Sequence, residues 1–204
     1  MSGRQLYLAS TSPRRRQLLT EAGYEFEIAP PRVDDGQLHP QTTRPTDWVM
    51  ALAWMKARSA ADALRVQGIE LGIVLAADTV CAHDCEILGQ PRDRDDAERM
   101  LRRMRDSAHI TMTGVALAPL DHPGRLIAID QAEVHVGAIH DDEIVSYLDS
   151  NAWIGKAGAY NLDERRAAGW AIECVGDPTT VMGLPMNRLD GWLRRVSVAN
   201  GVSS

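Results

Sequence analysis

No apolar stretch of the sequence is long enough to cross a bilayer. Val49–Met55 and Leu71–Ala77, among the longest, have seven residues each, where a membrane-spanning helix needs about twenty. Met1–Ser10 holds one arginine and a four-residue apolar core, Leu6–Ala9, too short for a secretory signal and without the basic, acid-poor character of a transit peptide. A cytoplasmic protein is the expectation. Cysteine is scarce: Cys81, Cys85 and Cys174 cannot all pair and match no zinc-binding spacing, so no disulfide is expected and a reducing compartment fits. The six histidines form no His-x-x-x-His or comparable ligand pair, and no Gly-x4-Gly-Lys-Ser/Thr phosphate loop is present. Basic charge is in the minority, with 22 Lys and Arg against 28 Asp and Glu and a net charge of −6. That balance excludes a protein that coats duplex nucleic acid, whose affinity comes from neutralising phosphates. A small anionic ligand asks only for a local basic patch.

What is present is ordinary globular composition, 45% apolar and 25% charged over 204 residues. This suffices for one domain, or one two-lobed unit, over 1–204, with no internal repeat and no separable linker. Leu6–Ala9, stopped by Ser10–Pro13 and followed by Leu18, Leu19 and Ala22 at helical spacing, predicts strand, tight turn and helix. Tyr24–Ile28 alternates as a half-buried strand, and Pro30–Pro45 is a proline-rich loop carrying Asp34 and Asp35. A long helix capped by Thr46 runs to about Val66, with Trp48, Leu52, Met55 and Ser59 on one face and Trp54 and Lys56 away from it. Leu71–Ala77, ending in Asp78-Thr79, has the pattern of a central strand buried on both faces, with Glu86–Leu88 as its hairpin partner. A helix over Asp93–Asp106, strands over His109–Ala118 and Arg125–Ile139, a short helix over Asp141–Ser150, a strand over Ala171–Val175 and a helix over Pro185–Val198 complete the chain. Helices and strands without strict alternation predict a mixed α/β domain around one central sheet.

Four constellations could carry chemistry. Ser10-Thr11-Ser12-Pro13-Arg14-Arg15-Arg16 places an N-cap, a proline suited to the first helical position and three guanidiniums at one helix start. Basic residues there oppose the helix dipole by up to about 1 kcal/mol each, a penalty that a bound phosphate would reverse. The same features also describe a capped surface helix with solvated arginines. Asp78 ends a buried strand, where open sheets place ligands and where a carboxylate can hold a divalent cation or take a proton from water, or can simply cap the next turn. Cys81, His83 and Cys85 alternate on one strand face opposite Asp78 and read as an ordinary strand end and turn. Gly155–Tyr160 and Gly176–Pro185 are Gly-rich turns that either close the sheet or let backbone approach a ligand. Lys56 stands out because Lys156 is the only other lysine, although a helix-face lysine is commonly just solvated.

Together these segments resemble the Maf family, the septum-formation-inhibitor-like nucleoside triphosphate pyrophosphatases. The resemblance is carried, in chain order, by Leu8–Arg15 with Leu18-Leu19, Ala53–Ala57 around Lys56, Ala77–Val80, Leu88–Pro91, Thr113–Ala116, Lys156–Tyr160 and Gly183–Pro185. It implies a two-lobed mixed α/β fold with a central mixed sheet, similar to the inosine triphosphate pyrophosphatases, with a nucleotide in the cleft between lobes. The implied reaction is hydrolysis of a nucleoside triphosphate between the α and β phosphorus with a divalent cation, Mg, Mn or Co. The implied roles are Asp78 as proton acceptor or metal partner, Asp35 as metal partner, and Ser10, Arg14, Arg15, Lys56, Thr79, Gln90 and Asp163 around the substrate. Arg14 and Thr79 resemble the branch preferring pyrimidine triphosphates such as dTTP and UTP, and a homodimer is a further implication.

Departures from the family pattern accompany the resemblance. Gln90 stands where a lysine is usual, Asn161 where a glycine is, Asp163 where that branch has glutamine, and Asp34-Asp35 where Asp-Glu is common. An ionised Asp163 accepts hydrogen bonds but cannot donate them, which would change the base edge it reads. The alternative function is accordingly a weak or inactive nucleotide-binding protein of the same fold that acts through a partner.

Overall fold

The computed structural model describes residues 4–33, 38, 43–84 and 86–198. Among them, seven strands form one mixed sheet around β3 (Ile73–His83). The apolar run that begins β3 continues past Ala77 through Asp78 and Thr79, and nearly every residue of the strand is buried. β1 (Leu6–Leu8) and β2 (Phe26–Ile28) lie parallel to β3 in the order β2-β1-β3. Helices α1 (Pro13–Glu21) and α2 (Pro45–Val66) make the crossovers that parallel pairing requires. On the other side the sheet is antiparallel, through β5 (Ser107–Pro119), β6 (Leu126–Val136) and β7 (Ile172–Val175). β4 (Glu86–Leu88) turns back onto the end of β3.

α2 corrects two expectations. It starts at Pro45 with Arg44 as the N-cap residue and no capping side chain, so Thr46 lies inside the helix. Proline at the first position needs no partner for its missing N–H, which displaces the start by a turn's edge. Its buried stripe is small, including Val49, Leu52, Ala53, Ala57, Ala60 and Ala61, whereas Met55, placed by spacing on one face with Leu52, is 37% exposed. The reason lies across the interface: a Cβ added at Gly114 of β5 would stand 2.6 Å from the Val49 carbonyl oxygen. The helix backbone rests on the sheet there, and alanine is what fits at that distance.

The remaining helices are α3 (Arg94–Met104), capped by Asp93, α4 (Asp141–Asp149), α5 (Leu162–Ala167), α6 (Pro178–Val181) and α7 (Met186–Val198), with a 3-10 turn at Ala157–Ala159. α2 covers one face of the sheet. The opposite face carries two separate apolar clusters. One packs Leu8, Leu75 and Ala77 against Leu19 of α1 and Leu189 and Leu193 of α7. The other packs Cys81 and Leu88 against Leu101 and Met104 of α3, Leu148 of α4 and Tyr160. Ala77, Thr79 and Cys81 share a face by strand periodicity, so Thr79 falls between the clusters. No helix among the described residues is long and apolar enough to cross a membrane.

Candidate active site

A break in strand pairing opens the cleft. β5 pairs one edge of β3 continuously from Ile73 to Ala82, but the other edge is shared: β1 takes Ile73–Leu75 and β4 takes Cys81–His83. Ala76–Val80 lie between these two partners, and a cavity of about 630 Å3 lies over this gap. Side chains from both faces of β3 therefore border one space, Asp78 from the α2 face and Thr79 and Cys81 from the other. A position where strand partners change is a recurrent ligand site in open sheets.

Part of the cleft lining is cationic. Ser12 accepts from the Arg15 N–H and caps α1, and Pro13 occupies the helix start as expected. Arg15 turns back from that start and donates from Nε to the Gly183 carbonyl at 2.8 Å, from Nη1 to Ser10 Oγ at 3.3 Å and from Nη2 to Thr79 Oγ1 at 3.2 Å. Gly183 has φ +105, and a Cβ there would meet Arg15 Nε at 3.2 Å. A side chain would be strained by the backbone and crowded by the guanidinium. Arg14 donates to Asn161 Oδ1 at 3.1 Å and lies 3.7 Å from Glu164 Oε1. Lys56 Nζ lies 2.5 Å from Asp78 Oδ1, with both side chains largely buried.

The apolar part of the lining comes from Cys81, Tyr160, Leu162, Val181 and Met182, with Thr111 beside Cys81. Burial pushes the Cys81 thiol up to about 11, against the smaller opposing effect of its contact with Thr111, so the sulfur is a protonated wall group at neutral pH. Gly158 and Ala159 both have left-handed φ values, 68 and 66. Contacts hold them there: Gly158 N–H donates to the Gly89 carbonyl at 3.0 Å, and Tyr147 OH donates to the Ala159 carbonyl at 3.0 Å. A Cβ on Gly158 would stand 3.1 Å from Cys81 Sγ. Behind the wall, the Tyr160 hydroxyl meets Nε2 of buried His109 at 3.0 Å.

Of the residues expected at a site, Ser10, Arg14, Arg15, Lys56, Asp78, Thr79 and Gln90 line this one cleft. Asp163 does not line it; it sits in the first turn of α5, where a carboxylate complements the helix dipole. Asp35 and Cys85 lie outside the described residues. Cys81 and Cys174 are free thiols. Glu164, which the sequence did not single out, pairs with Lys156 and approaches Arg14. Asn161 explains how it gets there: its side chain accepts from the Glu164 N–H at 3.0 Å as the α5 N-cap while also accepting from Arg14. An asparagine before Leu-Asp-Glu is a helix-start pattern, the one local signal that could have found this helix.

Among the described residues no three His, Cys, Asp or Glu side chains converge as a metal cage, and Asp78 is the one acid that lines the cleft. One or two carboxylates completed by substrate phosphate oxygens is the donor set by which a hard cation such as magnesium is usually held. Asp78 beside Arg14, Arg15 and Lys56 in the cleft lining fits that chemistry.

Comparison with known proteins follows the same residues. A family profile described as Maf-like protein matches residues 5–196. A dTTP/UTP pyrophosphatase of Symbiobacterium thermophilum is 39% identical over 184 residues, covering 90% of each chain. One from Salinibacter ruber is 40% identical over 190 residues, covering 93% of this chain and 89% of its own. One from Acetivibrio thermocellus is 36% identical over 198 residues, covering 96% of each. A solved structure of a HAM1 protein from Coxiella burnetii aligns with TM-score 0.49 and 16% identity over 95% of this chain and 100% of its own.

Proposed function

The chain belongs to the Maf-like protein family, and from that membership and the chemistry of the cleft we propose that it is a nucleoside triphosphate pyrophosphatase. It would cleave the bond between the α and β phosphorus of a pyrimidine triphosphate such as dTTP or UTP, or a modified relative, to give the monophosphate and pyrophosphate. The observation that carries this reading is the mixed cationic and apolar lining of a single cleft. Arg14, Arg15, Lys56 and the α1 start line it together with the apolar side chains of Leu162, Val181 and Met182, and Asp78 comes from the stretch of β3 whose edge partners change. A polyphosphate joined to a flat base asks for both kinds of lining, and the cavity volume of about 630 Å3 is within the usual range for such ligands.

In this mechanism Arg14, Arg15 and Lys56 bind the phosphates and take up the charge that develops on the leaving oxygen. Asp78 accepts the proton of the attacking water as its oxygen bonds to phosphorus and the anhydride oxygen departs with the bonding electrons. Lys56, at 2.5 Å from Asp78 Oδ1, holds that carboxylate in place. A divalent cation held by Asp78, with Asp35 as second partner, would neutralise phosphate charge and polarise the reacting phosphoryl group. Thr79, beside Arg15 in the cleft, contributes to base selection. The names of the relatives support the pyrimidine preference.

The test is pyrophosphate release from a panel of normal and modified triphosphates with magnesium, manganese or cobalt, and with a chelator as control. The reading expects cation-dependent release led by dTTP and UTP. Equal release from purine triphosphates contradicts the pyrimidine preference, and release that survives the chelator contradicts the cation.

A further inference from the structure

Thr113 lines no part of the cleft and has no solvent exposure, yet its hydroxyl decides which way a ring of hydrogen bonds runs through the cationic part of the lining. Its Oγ1 lies 2.7 Å from the Thr180 carbonyl oxygen. A carbonyl only accepts, so the single Thr113 hydrogen is committed there. The same oxygen accepts the Gly183 N–H at 3.1 Å, and two donors occupy its two lone pairs. Thr113 Oγ1 also lies 2.9 Å from Thr79 Oγ1. Because Thr113 has no second hydrogen, Thr79 must be the donor in that contact.

Thr79 in turn has spent its hydrogen, and it meets Arg15 Nη2 at 3.2 Å with a lone pair, the one role that suits a guanidinium, which is donor-only. The ring closes on the far side, where Arg15 Nε donates to Gly183 O at 2.8 Å. Every hydroxyl in it therefore has one allowed orientation. The ring is tied to the rest of the fold at Thr180, whose hydroxyl donates to Asp130 Oδ2 at 2.5 Å, while Asp130 Oδ1 pairs with Arg188 of α7 at 2.8 Å.

We propose that Thr113 is a positioning residue for Arg15: by fixing the hydroxyl direction of Thr79 and anchoring the turn that carries Gly183, it holds the guanidinium in the cationic lining of the cleft. The inference rests on the reading of that lining as a polyphosphate site. Without the Thr113 oxygen, Thr79 can rotate its hydrogen toward Arg15, where it repels the guanidinium. Its acceptor face toward the cleft is then lost as well.

The experiment compares Thr113→Val, which keeps shape and removes the oxygen, with Thr113→Ser, which keeps the oxygen and loses a methyl group. Calorimetry with inorganic pyrophosphate and steady-state kinetics with UTP are the two readouts. The account expects Thr113→Val to weaken pyrophosphate binding and raise KM by about tenfold, the scale of one charged hydrogen bond, with kcat changed much less. Thr113→Ser should stay within about twofold of the parent. A packing role predicts the reverse order, and that result, or unchanged binding in Thr113→Val, overturns the proposal. Should Thr113→Val fail to fold, Thr79→Val breaks the same link from the half-buried side, and unchanged pyrophosphate affinity there overturns it equally. A parent protein that binds no pyrophosphate and turns over no triphosphate would instead overturn the polyphosphate reading, and this inference with it.

Discussion

Lys56 Nζ and Asp78 Oδ1 stand 2.5 Å apart, and this contact ties the middle of the longest helix to the one stretch of the central strand where its edge partners change. The helix reaches the strand because Gly114, paired with Asp78 across the sheet, presents no side chain to it. The pair is thus a product of a packing contact as much as of two charged residues. Asp78→Asn keeps the shape and removes proton-accepting ability. It should lower kcat for triphosphate hydrolysis by about 10²-fold or more while leaving KM within a few-fold. Steady-state kinetics on the folded variant decide it, and a kcat within threefold of the parent contradicts the role.

Glu164 stands beside two cations that line the cleft, Arg14 and Lys156. Its carboxylate pairs with Lys156 and lies 3.7 Å from Arg14, so a polyphosphate that binds Arg14 as proposed would compete with it for that cation. These side chains are partly exposed, and such pairs are worth roughly 0.2–1 kcal/mol each. Glu164→Gln should therefore tighten pyrophosphate binding and lower KM by about threefold, more at low salt than at high salt. Calorimetry at two ionic strengths checks the sign.

Gly114→Ala tests the packing contact from the other side. An added Cβ would stand 2.6 Å from the Val49 carbonyl and 3.0 Å from Met50 N, and backbone cannot rotate out of the way. Overpacking of this kind costs about 1–3 kcal/mol, or roughly 2–12 °C in Tm for a chain of this size. Because α2 must move to accommodate it, activity should fall at temperatures where the variant is still folded. A thermal melt beside an activity assay separates the two effects.

Acid sensitivity should trace to His109. Burial, with smaller contributions from His83 and His135, pushes its imidazole down to about 4 from 6.5, and its Nδ1 meets no hydrogen-bond partner among the described residues. Between those values the unfolded chain binds a proton that the folded chain refuses. Stability therefore falls as pH drops from about 6.5 toward 4, by roughly 3 kcal/mol in total. In His109→Gln that part of the acid slope should vanish, as measured by denaturant unfolding at a series of pH values. An unchanged slope in the variant contradicts the assignment.

Much of this arrangement was legible in local sequence. Ser12-Pro13 announces a helix start, and the opposite faces of Asp78 and Cys81 follow from strand periodicity alone. The cluster at the start of α1 is built from these short-range patterns, which is why Ser10, Arg14 and Arg15 emerge together, whereas Thr79 came only with the family resemblance. What local pattern could not supply depends on contacts between distant segments. Met55 outranks alanine as a core residue in isolation, and only the missing side chain of Gly114 makes the alanine stripe the buried one. Asp163 and Glu164 are adjacent acids, and the Asn161 cap decides which of them meets Lys156. Thr113 looks like any strand threonine until Thr180 and Thr79 are brought to it from 67 and 34 residues away.

The most direct measurement is product analysis after complete turnover of UTP by the wild-type protein, resolving UMP, UDP, pyrophosphate and orthophosphate. The account predicts one pyrophosphate for each UMP, with neither UDP nor orthophosphate formed. UDP with orthophosphate would place the cleavage at the wrong bond, and intact UTP bound without turnover would contradict the enzymatic reading itself.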